Sequence, residues 1–271
     1  MSRTARRTRG ALFLLSLPLM VGLVVAAQLL EGGRLALLLQ PSAALVVFGG
    51  TFAAVAFSFP PALIGRTWRA LRRAFGTPPE SEEALLARLG EYATRARTRG
   101  ALSLEPDVDV TGDPFLSRAL ALVVDGASPA DVRHTLKAFS QAREEADAEC
   151  ASVLEAAAGY APTLGILGAV LGLMQAMEHL AAPAEVGPAI AVAFVATIYG
   201  VGSANLVFLP LATRLRGQGR AAAISRDLVI EGAVAIQQGL HPRLVDGHLR
   251  SLLSAWHPAV TGPTATSVVK H

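Results

Sequence analysis

Long apolar runs, each bracketed by short charged flanks, dominate this chain. Residues 11–30, 35–60, 159–177 and 187–209 contain no Asp, Glu, Lys or Arg. Each run meets the roughly 20 mostly apolar residues that a helix needs to cross a bilayer. The second is long because it starts with a short interfacial or re-entrant turn at Gln40-Pro41-Ser42. The last two runs carry stripes of small residues. One reads Ala161, Gly165, Gly168, Gly172, Ala176; the other reads Ala189, Ala193, Ala196, Gly200, Ser203. Steps of three and four put each stripe on one helix face. Small residues there let a second helix approach closely. The pattern predicts an all-α membrane protein of four transmembrane helices, with a helical cytoplasmic domain inserted between spans two and three.

That insertion, residues 61–158, has the size of a small domain. Leu85, Leu86, Leu89 and Tyr92 share a helix face in residues 80–98, opened by Ser81 and Glu83. A polar break follows over residues 105–114, then a helix over 114–125. Ser128 caps the next helix and Pro129 takes its first position. It runs to about residue 158 and leads toward span three. After span four, residues 211–238 predict a further helix, ended by Gly239 and Pro242. The expected organisation is residues 1–60 for the Arg-rich start and spans one and two, and 61–158 for the cytoplasmic domain. Residues 159–210 hold spans three and four, 211–257 a C-terminal cytoplasmic helix, and 258–271 a disordered tail rich in Pro, Thr, Ser and Gly.

Composition agrees with a membrane class. The chain of 271 residues is 52% hydrophobic and 17% charged, too apolar for an ordinary soluble domain. Its net charge of +3 does not form a nucleic-acid surface, because the basic residues flank the apolar runs. Arg3, Arg6, Arg7 and Arg9 precede the first; Arg66, Arg69, Arg72 and Arg73 follow the second; Arg214, Arg216 and Arg220 follow the fourth. The positive-inside rule then places both termini and the long middle segment in the cytoplasm. The Arg-rich start also resembles a signal peptide, but its apolar run exceeds the usual h-region of about 7–15 residues.

No catalytic constellation is legible, and the chain is not read as an enzyme. The six histidines lack metal-ligand spacing, and the single Cys150 excludes an internal disulfide. The glycines 165, 168 and 172 lie inside an apolar run, so they are packing glycines and not a dinucleotide loop. No metal or cofactor is expected.

Five ordered blocks resemble the MotA family, the membrane subunit of the flagellar motor stator. They are Val47-Phe48-Gly49-Gly50-Thr51 closed by Phe59-Pro60; Arg95 through Glu105 with Asp113-Pro114-Phe115-Leu116 and Val124-Asp125-Gly126; and Ala161-Pro162 through Gly172-Leu173. The fourth is Ala191 through Gly200 with Ala204-Asn205 and Leu209-Pro210, and the fifth Ile230-Glu231-Gly232 through Gly239 with Pro242-Arg243. The resemblance implies a bacterial inner-membrane protein that forms a pentamer around a dimer of a MotB-like, single-span, peptidoglycan-binding partner. That partner supplies the ion-carrying aspartate, which fits spans that lack any acid here. The stripes would face neighbouring protomers or the partner helices, with spans one and two facing lipid. The resemblance also assigns Pro162 and Pro210 to coupling, Ala169 and Thr197 to the ion pathway, and Arg97 and Glu105 to the rotor interface.

Two departures stand out. Ala169 replaces a threonine common in the family, which points to protons as the driving ion, and Thr163 replaces an alanine. Three other readings fit parts of the pattern: a MotA-like energiser of a non-flagellar machine, an ExbB- or TolQ-type energiser, and a membrane scaffold without transport.

Overall fold

The computed structural model describes residues 38–76 and 80–256, together with 22, 26, 29 and 30. The first apolar run and the C-terminal tail therefore lie outside the described residues. Among the described residues the fold is all helical. Three helices in it are long and apolar enough to cross a membrane: Pro41–Ser58, Pro129–Glu178 and Val186–Gln237. The chain divides into two compact units.

The first unit begins with α1, Pro41–Ser58. Gln40 is extended and Pro41 takes the first helical position, where its missing N–H costs nothing. A single π-turn, Leu45–Gly49, interrupts α1. Extended Phe59 ends it, and the Pro60-Pro61 pair starts α2, Pro61–Ala74. The same unit holds residues 147–178 of α6 (Pro129–Glu178), all of α7 (Pro183–Ser203), and the start of α8 (Leu209–Gln237). Helix α7 passes into α8 through a second π-turn, Ala204–Phe208.

The second unit contains α3 (Glu82–Arg99), a 3₁₀ turn (Ala101–Leu104), α4 (Glu105–Val110), α5 (Pro114–Val124), residues 129–146 of α6, residues 218–237 of α8, and α9 (Pro242–Trp256). Its core joins Leu86 and Leu89 of α3, Leu116 and Leu120 of α5, Leu136 of α6, Leu228 of α8, and Leu249 of α9. Capping fixes where these helices start. Ser81 accepts from the Ala84 N–H at 3.2 Å, and Asp113 from the Phe115 N–H at 2.9 Å. Ser128 accepts from the Asp131 N–H at 3.1 Å and donates to its carboxylate at 2.6 Å. Gly126 and Gly239 adopt φ of 72° and 69°. Each closes its helix with paired bonds, Ala127 N–H to Leu122 and Gly126 N–H to Val123 in one, Leu240 N–H to Ala235 and Gly239 N–H to Ile236 in the other.

Two elements differ from the sequence reading. The polar stretch 105–114, expected as a break, winds into α4. Pro106 sits in the first turn, where it is tolerated, and Glu105 and Asp107 lie at the positive end of the helix dipole. The helix expected over 211–238 is no separate element, because it continues span four through the π-turn into α8.

Candidate functional site

The small-residue stripes of α6 and α7 meet each other within one chain. A Cβ added at Gly165 would lie 2.9 Å from the Ala196 carbonyl oxygen, one at Gly168 2.8 Å from the Ala196 Cβ, and one at Gly172 2.8 Å from the Ala193 nitrogen. From the other side, a Cβ at Gly200 would lie 2.6 Å from the Ala161 carbonyl oxygen and 3.2 Å from the Pro162 Cα. At these four glycines the expected contact with neighbouring protomers or the partner helices gives way to a contact within the chain. A glycine surface is silent about which helix fills it, and here the adjacent span does. Ala176 is buried, whereas Ala189 is half-buried near the start of α7.

Pro162 adjoins the tightest of these contacts, inside α6. It has no N–H to offer the Ala158 carbonyl, four residues back, yet the helix continues through it. Beside it, Thr163 donates to the Tyr160 carbonyl at 2.7 Å, and the Tyr160 hydroxyl bonds Ser58 Oγ at 2.9 Å. Pro210 also lies inside a helix. The carbonyl that its ring would meet belongs to Leu206, which lies in the π-turn, where the wider winding relieves the clash.

Ala169 and Thr197 each follow, by one residue, the touching pair Gly168 and Ala196, so both stand at the same level of the α6–α7 seam. Both are half-buried. The Thr197 hydroxyl donates to the Ala193 carbonyl at 3.3 Å. Helix α1 packs onto α7 through Ala43, Val47, Val195 and Ala196. Tyr199 pins the start of α1 by donating its hydroxyl to the Leu38 carbonyl, with the Phe48 ring 5.5 Å away. Sequence reasoning did not find this staple, because a single tyrosine gives no periodic signal of a partner about 160 positions away. Outward, α1 presents Phe52 and Phe57.

The two charged residues assigned to the rotor interface, Arg97 and Glu105, lie in the second unit. Arg97 is exposed and donates to the Gly239 carbonyl at 3.1 Å, satisfying the C-terminal end of α8. Glu105 is exposed and makes no ion pair among the described residues. Arg95 is held by Asp107 at 2.8 Å, and the hydrogen bond to that carboxylate raises the guanidinium pKa. Arg133 forms a two-pronged ion pair with Glu231. Burial, reinforced by Glu144, pushes the nearby Asp227 carboxyl above its ordinary range, against the opposing pull of Lys137 and Arg226. No cluster of His, Cys, Asp or Glu that could hold a metal occurs among the described residues.

Comparison with known proteins follows the same lines. Residues 108–227 match the model of the MotA/TolQ/ExbB proton channel family. "Motility protein A" of Bacillus subtilis (strain 168) is 32% identical over 243 residues, 87% of this chain and 90% of that one. The chain belongs to the MotA family of flagellar stator subunits. The "Chemotaxis protein PomA" of Vibrio alginolyticus is 30% identical over 231 residues, 85% of this chain and 90% of that one. Among solved structures, the flagellar MotAB stator complex from Bacillus subtilis aligns with a TM-score of 0.83 at 31% identity, covering 90% of this chain and 97% of that one. C. jejuni MotAB aligns with a TM-score of 0.84 at 26% identity, covering 93% and 98%. This MotA-family chain is thus a membrane-embedded, ion-conducting subunit of the flagellar stator.

Proposed function

We propose that this MotA-family subunit drives the flagellar rotor with protons, in a pentamer around a single-span, peptidoglycan-anchored partner of the MotB kind. The observation that carries the reading is a tightly locked α6–α7 seam, free of any acid, with Pro162 next to its closest contact, that of Gly200 with Ala161. Ion transfer through a bilayer needs an ionisable or strongly polar group. The partner's aspartate supplies it, and this chain shapes the path around it. The solved relatives being MotAB complexes supports that partnership.

Four spans cross the bacterial inner membrane, residues 11–30 being the first. Both termini and residues 61–158 lie in the cytoplasm, as the arginine flanks favour. Pro162 and Pro210 couple ion passage to movement, and Glu105 and Arg97 meet the rotor's charged surface. Protons are preferred because a dehydrated sodium ion needs several oxygen ligands. Ala169 offers none, where a threonine would add a second hydroxyl oxygen beside that of Thr197. The test is rotation speed against external sodium at fixed pH, with a protonophore as second arm. Speed independent of sodium and abolished by the protonophore is expected; rotation that stops without sodium and survives the protonophore overturns the proton assignment.

A further inference from the structure

Helix α2, Pro61–Ala74, is separated from the membrane-spanning α1 by two residues and divides into three sectors around its axis. At 100° per residue, Leu63, Thr67, Ala70 and Ala74 form one face. Thr67 and Ala74 are buried, and Ala74 packs with Cys150, Ala151 and Leu215. Thr67 also donates to the Leu63 carbonyl at 3.0 Å. This face is satisfied within the unit. Ile64, Leu71, Trp68 and Phe75 form a second sector, and Trp68 leaves 62% of its surface exposed. Arg72, Arg69, Arg73 and Arg66 form the third.

No acid lies on α2 itself. Arg66 meets Glu149 only at 3.5 Å. Arg69 and Arg73 turn an Nε–H back onto the carbonyls of Gly65 and Arg69 in their own helix. The remaining guanidinium N–H groups of these two, and those of Arg72, meet no carboxylate among the described residues. The end of α2 is capped from elsewhere, since Arg214 donates to the Ala74 carbonyl at 2.8 Å and stacks over the Phe75 ring. The three arginines are therefore not needed to close the helix.

We propose that α2 is a docking surface for anionic phospholipid, with Trp68 at headgroup depth and Arg69, Arg72 and Arg73 on the phosphates. An aromatic edge beside a basic edge, on a helix continuous with a span, is the chemistry of an interfacial helix. Juxtamembrane arginines favour anionic lipid by about five-fold each. The inference rests on reading α1 as a membrane span.

The test uses the full chain with its stator partner, carrying Trp256→Phe so that Trp68 is the chain's sole tryptophan. It is reconstituted in phosphatidylcholine vesicles containing brominated phosphatidylglycerol or brominated phosphatidylcholine. Quenching of Trp68 should favour phosphatidylglycerol by at least about five-fold, one arginine's share. Combined Arg69→Gln, Arg72→Gln and Arg73→Gln should erase the preference, and the three lysine replacements should keep it. Equal quenching by the two lipids, or a preference that survives the glutamines, overturns the docking surface alone. No quenching by either lipid overturns the membrane placement of α1 as well.

Discussion

Gly200→Ala tests the α6–α7 seam directly. The added methyl carbon would sit 2.6 Å from the Ala161 carbonyl oxygen, 3.0 Å from the Gly165 Cα and 3.2 Å from the Pro162 Cα. All three are backbone atoms, so no side chain can rotate away. A carbon–oxygen approach is normally about 3.3–3.6 Å, and the helices must therefore part by about 0.7 Å. Overpacking of this kind costs about 1–3 kcal/mol. Alanine's better helix propensity returns about 0.5–1 kcal/mol, leaving a net loss of about 0–2.5 kcal/mol, centred on about 1 kcal/mol. The loss should be larger in a membrane seam than its area suggests, because lipid offers no hydrophobic drive to press the helices together again. Gly217, in α8, is the control, since a Cβ there meets nothing within 4 Å. Gly217→Ala should gain about 0.5–1 kcal/mol from propensity alone. Unfolding free energies from detergent titration of the purified complex in mixed micelles decide it. A Gly200→Ala protein as stable as the parent, or a Gly217→Ala protein equally damaged, refutes the packing argument.

Pro162→Ala and Pro210→Ala each restore a helical N–H, so stability should hold or rise while rotation is lost; normal swimming in both variants contradicts the coupling role. Glu105→Lys should impair stator recruitment more than thermal stability, because Glu105 makes no ion pair among the described residues and its helix-dipole contact is worth only about 0.3–1 kcal/mol, and recruitment imaging beside a melting curve separates the two. Arg97→Glu should impair both, since it also removes the bond to the Gly239 carbonyl; unchanged motility in both reversals removes these residues from the rotor interface. Asp227 has a raised pKa in the fold, so its charge destabilises the fold as pH rises from the ordinary carboxylate range through that raised value. Asp227→Asn should thus raise the melting temperature at pH 7 and change nothing near pH 3; an equal gain at both pH values would point to a cause other than ionisation.

Much of the fold was legible because its determinants are local. Ser81 and Ser128 announce helix starts through their neighbours in sequence, and Gly126 and Gly239 announce ends through a backbone conformation that other residues rarely adopt. The α6 and α7 stripes were legible as surfaces for close approach, but their partner was not, because periodicity identifies a face and not what covers it. The acidic stretch at α4 misled for a related reason. Asp, Pro and Gly are turn residues in isolation, and here Glu105, Pro106 and Asp107 become a helix start, with Val108 packed on the core and Asp107 on Arg95. The π-turns at 45–49 and 204–208 left no sequence mark that was read. One of them explains how a helix carries Pro210 without ending.

The polar groups along the spans lead to one further step of the same argument. Thr51 donates to the Val47 carbonyl at 2.6 Å, Ser203 to Gly200 at 3.2 Å and Asn205 to Val201 at 3.0 Å, as Thr197 does to Ala193. Each is satisfied by its own helix, which makes it tolerable in lipid and leaves mainly lone pairs to offer a neighbour. A hydroxyl or amide so engaged can accept a hydrogen bond from a protonated carboxyl, but it cannot itself carry charge. A lone pair such as that of Thr197, beside the α6–α7 seam, suits a visiting acid that is neutral when it moves and ionised when it faces water. The same seam supplies few of the several oxygens that a bare sodium ion demands. On this reasoning Ala169→Thr, which adds a hydroxyl at the level of Thr197, should leave proton-driven rotation intact. Sodium dependence should appear only if further oxygens are added, and speed measured at two sodium concentrations checks this. A single Ala169→Thr change that made rotation sodium-dependent would show that the pathway already holds all but one of the oxygens that sodium needs, against the shortage argued here.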